Sequence, residues 1–351
     1  MKTKNILSCY FRIKLLPLEI LSLSATTIAL TLHFLLKLKF YSPGFQPTIF
    51  SIKHYLIGVA ISYTILITRT TNEKGKTNAL RNILSLTLII YLHFQFKLWS
   101  SIINKNNFDQ FYQSLDNSIT PLLTIISFIN LGFSPIKSAI ENPYHHLFVS
   151  LFFISFIVQS IKNHQKGIDE LLLSFSLVLV LGGLSYSLTP AFGPFVFDVQ
   201  NANLAQISML TFSLDFLASN GQHYINNNFI MPLAAMPSLH TAHTLTLYHY
   251  ARRDSRILSY LYIPVVIFIL TEAITSKWHY SLDIIVGIIL AKICIAITNN
   301  VYSAKNLTIP NHLSAKQRQG SFLARIARYN SWLLGSQVIK SSKDRSGVSH
   351  R

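Results

Sequence analysis

Residues 257–298 read ILSYLYIPVVIFILTEAITSKWHYSLDIIVGIILAKICIAIT. Two apolar runs, Ile257–Ser276 and Tyr280–Thr298, reach the roughly 20 residues that a helix needs to cross a bilayer. Lys277, Trp278 and His279 separate them. A helix in a soluble domain needs one apolar stripe, and a helix that is apolar all round is buried or lies in lipid. Working outward, six further stretches qualify: Pro17–Leu36, Ile49–Thr68, Ile83–Ile103, Tyr144–Ile161, Ile168–Thr189 and Leu233–Tyr250. Lys53 and His54 crowd the second of the eight, and polar residues stud the sixth. Lys2, Lys4, Arg12 and Lys14 before Pro17 have the look of a signal peptide's basic region. The run behind them is long and lacks a small-x-small cleavage site, so an uncleaved first span is expected.

Composition agrees. Of 351 residues 50% are apolar and 12% charged, with a mean hydropathy of +0.38. Soluble domains carry about 25% charged residues. A cytosolic globular enzyme, a disordered chain and a collagen-like fibre are excluded. The net charge of +17 would by itself suggest nucleic acid, but positive residues collect on the cytoplasmic side of a membrane protein. With the N-terminus inside and eight spans, 22 of the 30 Lys and Arg fall in cytoplasmic segments, seven outside and Lys292 within the last span. Both termini are therefore expected in the cytoplasm, and no nucleic acid is needed as a partner. Pro190–Met236 carries no Lys or Arg, as a translocated loop should. Abundant Ile, Asn and Lys fit an AT-rich bacterial genome, so the inner membrane, with the outer face periplasmic, is the expected location. Cys9 and Cys294 stand in dissimilar surroundings and are expected unpaired.

Three smaller stretches stand apart from the spans. Ile119–Phe133, short and holding Pro121, reads as re-entrant or interfacial. Phe108–Ser118 sets Phe108, Phe111, Tyr112 and Leu115 at helical spacing with Asp109 and Asp116 opposite, an expected interfacial helix on the outer side. Ser321–Leu334, in the basic tail, reads either as an amphipathic helix on the anionic inner leaflet or as a solvated segment.

Two constellations carry chemistry, and the topology puts both at the outer face. Met236-Pro237-Ser238-Leu239-His240-Thr241-Ala242-His243 opens the sixth span. Proline suits a first helical turn, and the unbonded N–H groups there, with the helix dipole, attract anions. Ser238 and His240 sit where a phosphate would dock; a plain helix cap with an interfacial histidine is the structural alternative. The second, His279-Tyr280-Ser281-Leu282-Asp283, opens the eighth span. Spacing i, i+4 stacks His279 and Asp283 on one helix face. A carboxylate on one ring nitrogen fixes the tautomer and sharpens the other as a nucleophile. Ionisable residues in spans are functional candidates by default, although a His–Asp pair can also simply tie helices. His243 either orients His240 or is an ordinary buried polar residue. Glu272, two turns before His279, can pair with a cation, and His223-Tyr224 can meet a head group. His240, His243, His279 and Asp283 admit a metal reading too, but such spacings arise often by chance and no cofactor is expected.

Together the two motifs resemble the type-2 phosphatidic acid phosphatase superfamily, which carries a Pro-Ser-Gly-His element and a Ser-Arg-x5-His-x3-Asp element in a six-helix membrane core. Pro237-Ser238-Leu239-His240 and His279-x3-Asp283 match its second and third elements. Pro-Ser-Leu-His with His-Tyr-x-x-Asp, and the run Pro190-Ala191-Phe192-Gly193-Pro194, look more like the inositolphosphotransferase branch, which includes inositol phosphorylceramide synthases. The first element, Lys-x6-Arg-Pro, has no counterpart; the third element's Ser and Arg fall on Glu272 and Ala273. Lys277 is the nearest substitute cation.

The resemblance implies an all-α polytopic membrane protein in three parts: a two-span extension (1–78), a six-span catalytic core (79–300) and a basic cytoplasmic tail (301–351). It implies phospho-head-group transfer from a membrane lipid to a lipid or sugar alcohol, or to water, through a phosphohistidine. His279, Asp283 and His240 would be catalytic, and Ser238, Lys277, Pro237 and His243 would bind substrate. A transporter with polar residues along its path, and an inactive relative, are the competing readings.

Overall fold

A computed structural model describes residues 14–42, 60–61, 64–65, 67–68, 73–140, 143–162, 165–222 and 236–305. Regular structure among them is helical, with no strand: α1 (Pro17–Leu36), α2 (Glu73–Ile103), α3 (Asp109–Ser118), α4 (Thr120–Leu131), α5 (Ser134–Ala139), α6 (Pro143–Ile161), α7 (Gln165–Ser185), α8 (Leu204–Ala218), α9 (Leu239–Asp254), α10 (Arg256–Thr275) and α11 (Ser281–Lys305). Six of them, α1, α2, α6, α7, α10 and α11, are long and apolar enough to cross a membrane. The expected all-α membrane architecture is what is found. Most of Ile49–Thr68, His223-Tyr224, Cys9 and Ser321–Leu334 lie outside the described residues.

The sixth expected span differs. It is α9, 16 residues long and with a mean composition too polar for a lipid-facing helix. Its polarity has a physical reason: Thr241, Thr244 and Thr246 are fully buried inside the bundle, where α6, α7 and α10 surround the helix. The loop from Pro190 also differs, because it contains α8. Asn203 caps that helix in a reciprocal box with Gln206, at 3.0 Å in each direction.

At the centre lies α7. Its span window is 83% buried, against 50% or less in the other five. The helix is apolar on every side, and Ser174, Ser176, Gly182 and Gly183 let neighbours come close. Polar rungs tie it in. Ser174 Oγ donates to Thr298 Oγ1 at 2.8 Å and shares a 2.6 Å hydrogen bond with Tyr250, linking α7, α9 and α11. Such rungs contribute about 0.6 kcal/mol each in lipid, so close packing carries most of the association. α1 packs on α2 and α7, and Arg81 of α2 holds Glu19 of α1 with Nε 2.6 Å from Oε1. Cys294 is buried and unpaired.

Candidate active site

The junction between α10 and α11 is built to present His279. Lys277 adopts a left-handed backbone, φ 60°, which ends α10. The His279 N–H then turns back to the Ala273 carbonyl at 2.9 Å, a wrap that satisfies the helix end. Two residues later α11 begins, and Asp283 Oδ2 accepts the Tyr280 N–H at 2.8 Å. A carboxylate in a first turn is favoured by the helix dipole. The same oxygen lies 3.3 Å from His279 Nδ1. Asp283 is fully buried and its other oxygen, Oδ1, has no hydrogen-bond partner. His279 is 7% exposed.

The Pro-Ser-Leu-His element meets this junction directly. Ser238 caps α9, its Oγ accepting the Thr241 N–H at 3.4 Å, and its own N–H donates to the Asp283 carbonyl at 3.1 Å. The approach depends on Gly287, where a Cβ would stand 2.6 Å from the Ser238 carbonyl oxygen. Pro237, buried, follows a cis bond from Met236. The first bond within α9 runs from the Ala242 N–H to the Ser238 carbonyl, so the Leu239 and His240 N–H groups precede it and open toward the helix end. His240, in the first turn, has its ring centroid 6.3 Å from that of His279 and is flanked by Phe148 at 4.6 Å, Tyr144 at 4.9 Å and His145 at 5.8 Å. Two motifs 35 residues apart thus share one site at one end of the bundle.

The remaining candidates divide. His243 is buried against Phe175, ring centroids 4.0 Å apart, with neither ring nitrogen hydrogen-bonded. It sits deeper in the bundle and makes no hydrogen bond that would orient His240. Lys277 is committed to Asp198, and that cation holds the Asp198 carboxyl below its ordinary range. Glu272 does pair with a cation, Lys137, at 2.5 Å, and also accepts from Asn130 at 3.0 Å. Among the described residues no three His, Cys, Asp or Glu are arranged to hold a metal.

Sequence reasoning missed a second tier. The sequence puts Asp109 and Asp116 on the solvent face of α3, yet they are 3% and 5% exposed, with Tyr112 buried between them and Phe111 exposed. The helix is rotated rather than inverted, so that Tyr112 stays inside and both carboxylates find hydrogen-bond donors there. Asp109 accepts the Phe192 N–H (2.8 Å), the Gly193 N–H (2.8 Å) and the Tyr280 hydroxyl (2.8 Å). Gly193 has φ 120°, and a Cβ there would stand 2.7 Å from the Trp278 carbonyl oxygen, so the turn requires glycine. Asp116 accepts the Ser281 N–H at 3.2 Å and its hydroxyl. Burial outweighs those bonds and raises the Asp116 carboxyl above its usual range. The Pro190–Pro194 run and α3 thereby grip the residues on either side of the junction. The signal available in the sequence was two aspartates seven residues apart on one helix face.

Residues 134–297 match the PAP2 superfamily. The PAP2 match runs from α5 into α11 and includes both motifs, while α1 to α4 lie before it. PAP2 proteins are in general phosphatases, so the match points to phosphatase or phosphotransferase chemistry. No curated protein and no solved structure matches the chain.

Proposed function

We propose that this protein transfers a phosphorus-containing head group from a membrane phospholipid to an alcohol, through a phosphohistidine at His279. The observation that carries the reading is His279 Nδ1 held by buried Asp283 with the His240 ring 6.3 Å away on the neighbouring helix. Asp283 fixes the tautomer, and Nε2 is the nitrogen turned from it. That nitrogen bonds to phosphorus as the bond between phosphorus and the lipid alkoxide breaks, and His240 gives the alkoxide its proton. In the second half His240 takes the proton of the acceptor hydroxyl, whose oxygen attacks phosphorus and releases His279. N–H groups in the first turn of α9 stabilise the phosphoryl oxygens, with Ser238 and Pro237 shaping that turn.

In this reading 79–300 is the catalytic core, 1–78 an extension and 301–351 a basic tail. The site faces away from the cytoplasm, which for a bacterial inner membrane is the periplasm. The inositolphosphotransferase branch fits the residue pattern best, with a lipid or sugar alcohol as acceptor. Water as acceptor makes the same residues a lipid phosphatase, the chemistry general among PAP2 proteins. Purified protein given labelled phosphatidylinositol or phosphatidate, with and without an alcohol, separates these. A phosphodiester or alkyl phosphate that appears only with the alcohol supports transfer. Free phosphate from phosphatidate in both cases marks a phosphatase. Neither product overturns the enzyme reading and favours a transporter or an inactive relative.

A further inference from the structure

A phosphate between His240 and His279 needs a counter-charge, and Lys277 and Lys137 are already paired, with Asp198 and Glu272. Lys97 is not. It stands within α2, two turns from the end of that helix, with its ammonium 5.5 Å from the centroid of the Tyr186 ring. Tyr186 is 2% exposed, directly after α7. His93, one turn earlier on α2, shares a 2.9 Å hydrogen bond with the Leu179 carbonyl and lies 6.4 Å from Tyr186, ring to ring. This places α2 against the reactive end of α7. Gly182, one turn before Tyr186, packs directly on Leu239, where a Cβ would clash with the leucine Cδ2, so the end of α7 that carries Tyr186, with Lys97 against it, lies beside the first turn of α9 that holds His240. Among the described residues no carboxylate pairs with that ammonium. A lysine inside a membrane span is costly and is ordinarily paired or functional. A ring face returns only part of that cost.

We propose that Lys97 is a substrate-binding residue that neutralises the phosphate held between His240 and His279, a cation supplied by a helix that precedes the PAP2 match. The proposal rests on the phosphotransfer reading for its ligand, and its test does not. Purified full-length protein is melted with and without inorganic phosphate, as wild type, Lys97→Met and Lys97→Arg, and the KM for phosphatidate is measured alongside. Phosphate should stabilise the wild type and the Arg variant and leave Lys97→Met unmoved. KM should rise roughly ten- to hundredfold in Lys97→Met, with Arg restoring most of it. Phosphate stabilisation equal in wild type and Lys97→Met, or absent from wild type, overturns the proposal. Should Lys97→Met not fold, Lys97→Gln replaces it under the same criteria. A wild type that turns over no phospholipid, yet shows Lys97-dependent phosphate binding, removes the enzyme reading and leaves this one standing.

Discussion

The two ends of the helix bundle differ in how their buried carboxylates are met. At the end holding Asp254, the last residue of α9, carboxylates meet cations. Glu170 is bonded by Arg253 and lies 3.6 Å from Lys166; Arg253 Nε reaches Asp254 at 2.9 Å, and Gln159 adds a further donor to Asp254. At the end where α9 and α11 begin, Asp283 Oδ1 and both nitrogens of His243 have no hydrogen-bond partner. Lys97 there has a ring face for company. An unmet buried polar group costs about 1–3 kcal/mol, so leaving Asp283 Oδ1 open, in an end where Lys277–Asp198 and Lys137–Glu272 are paired, spends stability at the one carboxylate behind His279. In the proposed reading the first end is architecture and the second is the site.

Substitutions at the two ends should therefore separate activity from stability. The largest effect is expected from His279→Ala: turnover falls at least about 10³-fold, while the melting temperature in detergent stays near that of wild type. Asp283→Asn keeps the shape and an acceptor for the Tyr280 N–H but loses the charge behind His279; kcat should fall about 10²–10⁴-fold in steady-state assays. Gly287→Ala forces α11 from the Ser238 carbonyl, and it should cost about 1–3 kcal/mol in denaturation and about ten- to hundredfold in kcat through misplacement. Glu170→Gln, at the Asp254 end, should cost about 1–3 kcal/mol and leave the kcat of folded protein unchanged. Full activity in His279→Ala, or a strong kcat effect from Glu170→Gln with folding intact, would break the contrast.

The smallest effect belongs to the exposed pair Lys277–Asp198, since surface ion pairs contribute little. Its sign with pH is fixed. Asp198 is held below its ordinary value of 3.8, so the contribution is present above that value and is lost as pH falls through the lower folded one. Melting curves of wild type and Lys277→Ala should differ slightly at pH 7 and converge in acid.

Much of this molecule is legible in its sequence, and the exceptions have reasons. Long apolar helices announce themselves whether they face lipid or, like α7, lie buried at the centre, so α1, α2, α6, α7, α10 and α11 correspond to expected spans. Hydropathy fails for α9 because its buried positions hold Thr241, Thr244 and Thr246, which pack between helices as readily as the leucines of α7 do. The capped helix α8 is too short for a span and falls inside what reads as a loop. His279, Asp283, Ser238 and His240 are found by spacing, because local geometry and one shared membrane face bring them together. Asp109, Asp116 and Lys97 depend on contacts made across more than 80 residues, and no local pattern carries those. Lys97 is also hidden by the positive-inside count, which treats it as one more outer lysine.

The covalent state of His279 during turnover tests the central claim most directly. Protein is mixed with phosphatidate labelled on phosphorus, quenched within a turnover and digested. Label on the His279 peptide, stable in alkali and lost in acid, and absent from His279→Ala, is the predicted result. Continued turnover by His279→Ala, or label on another residue, contradicts it.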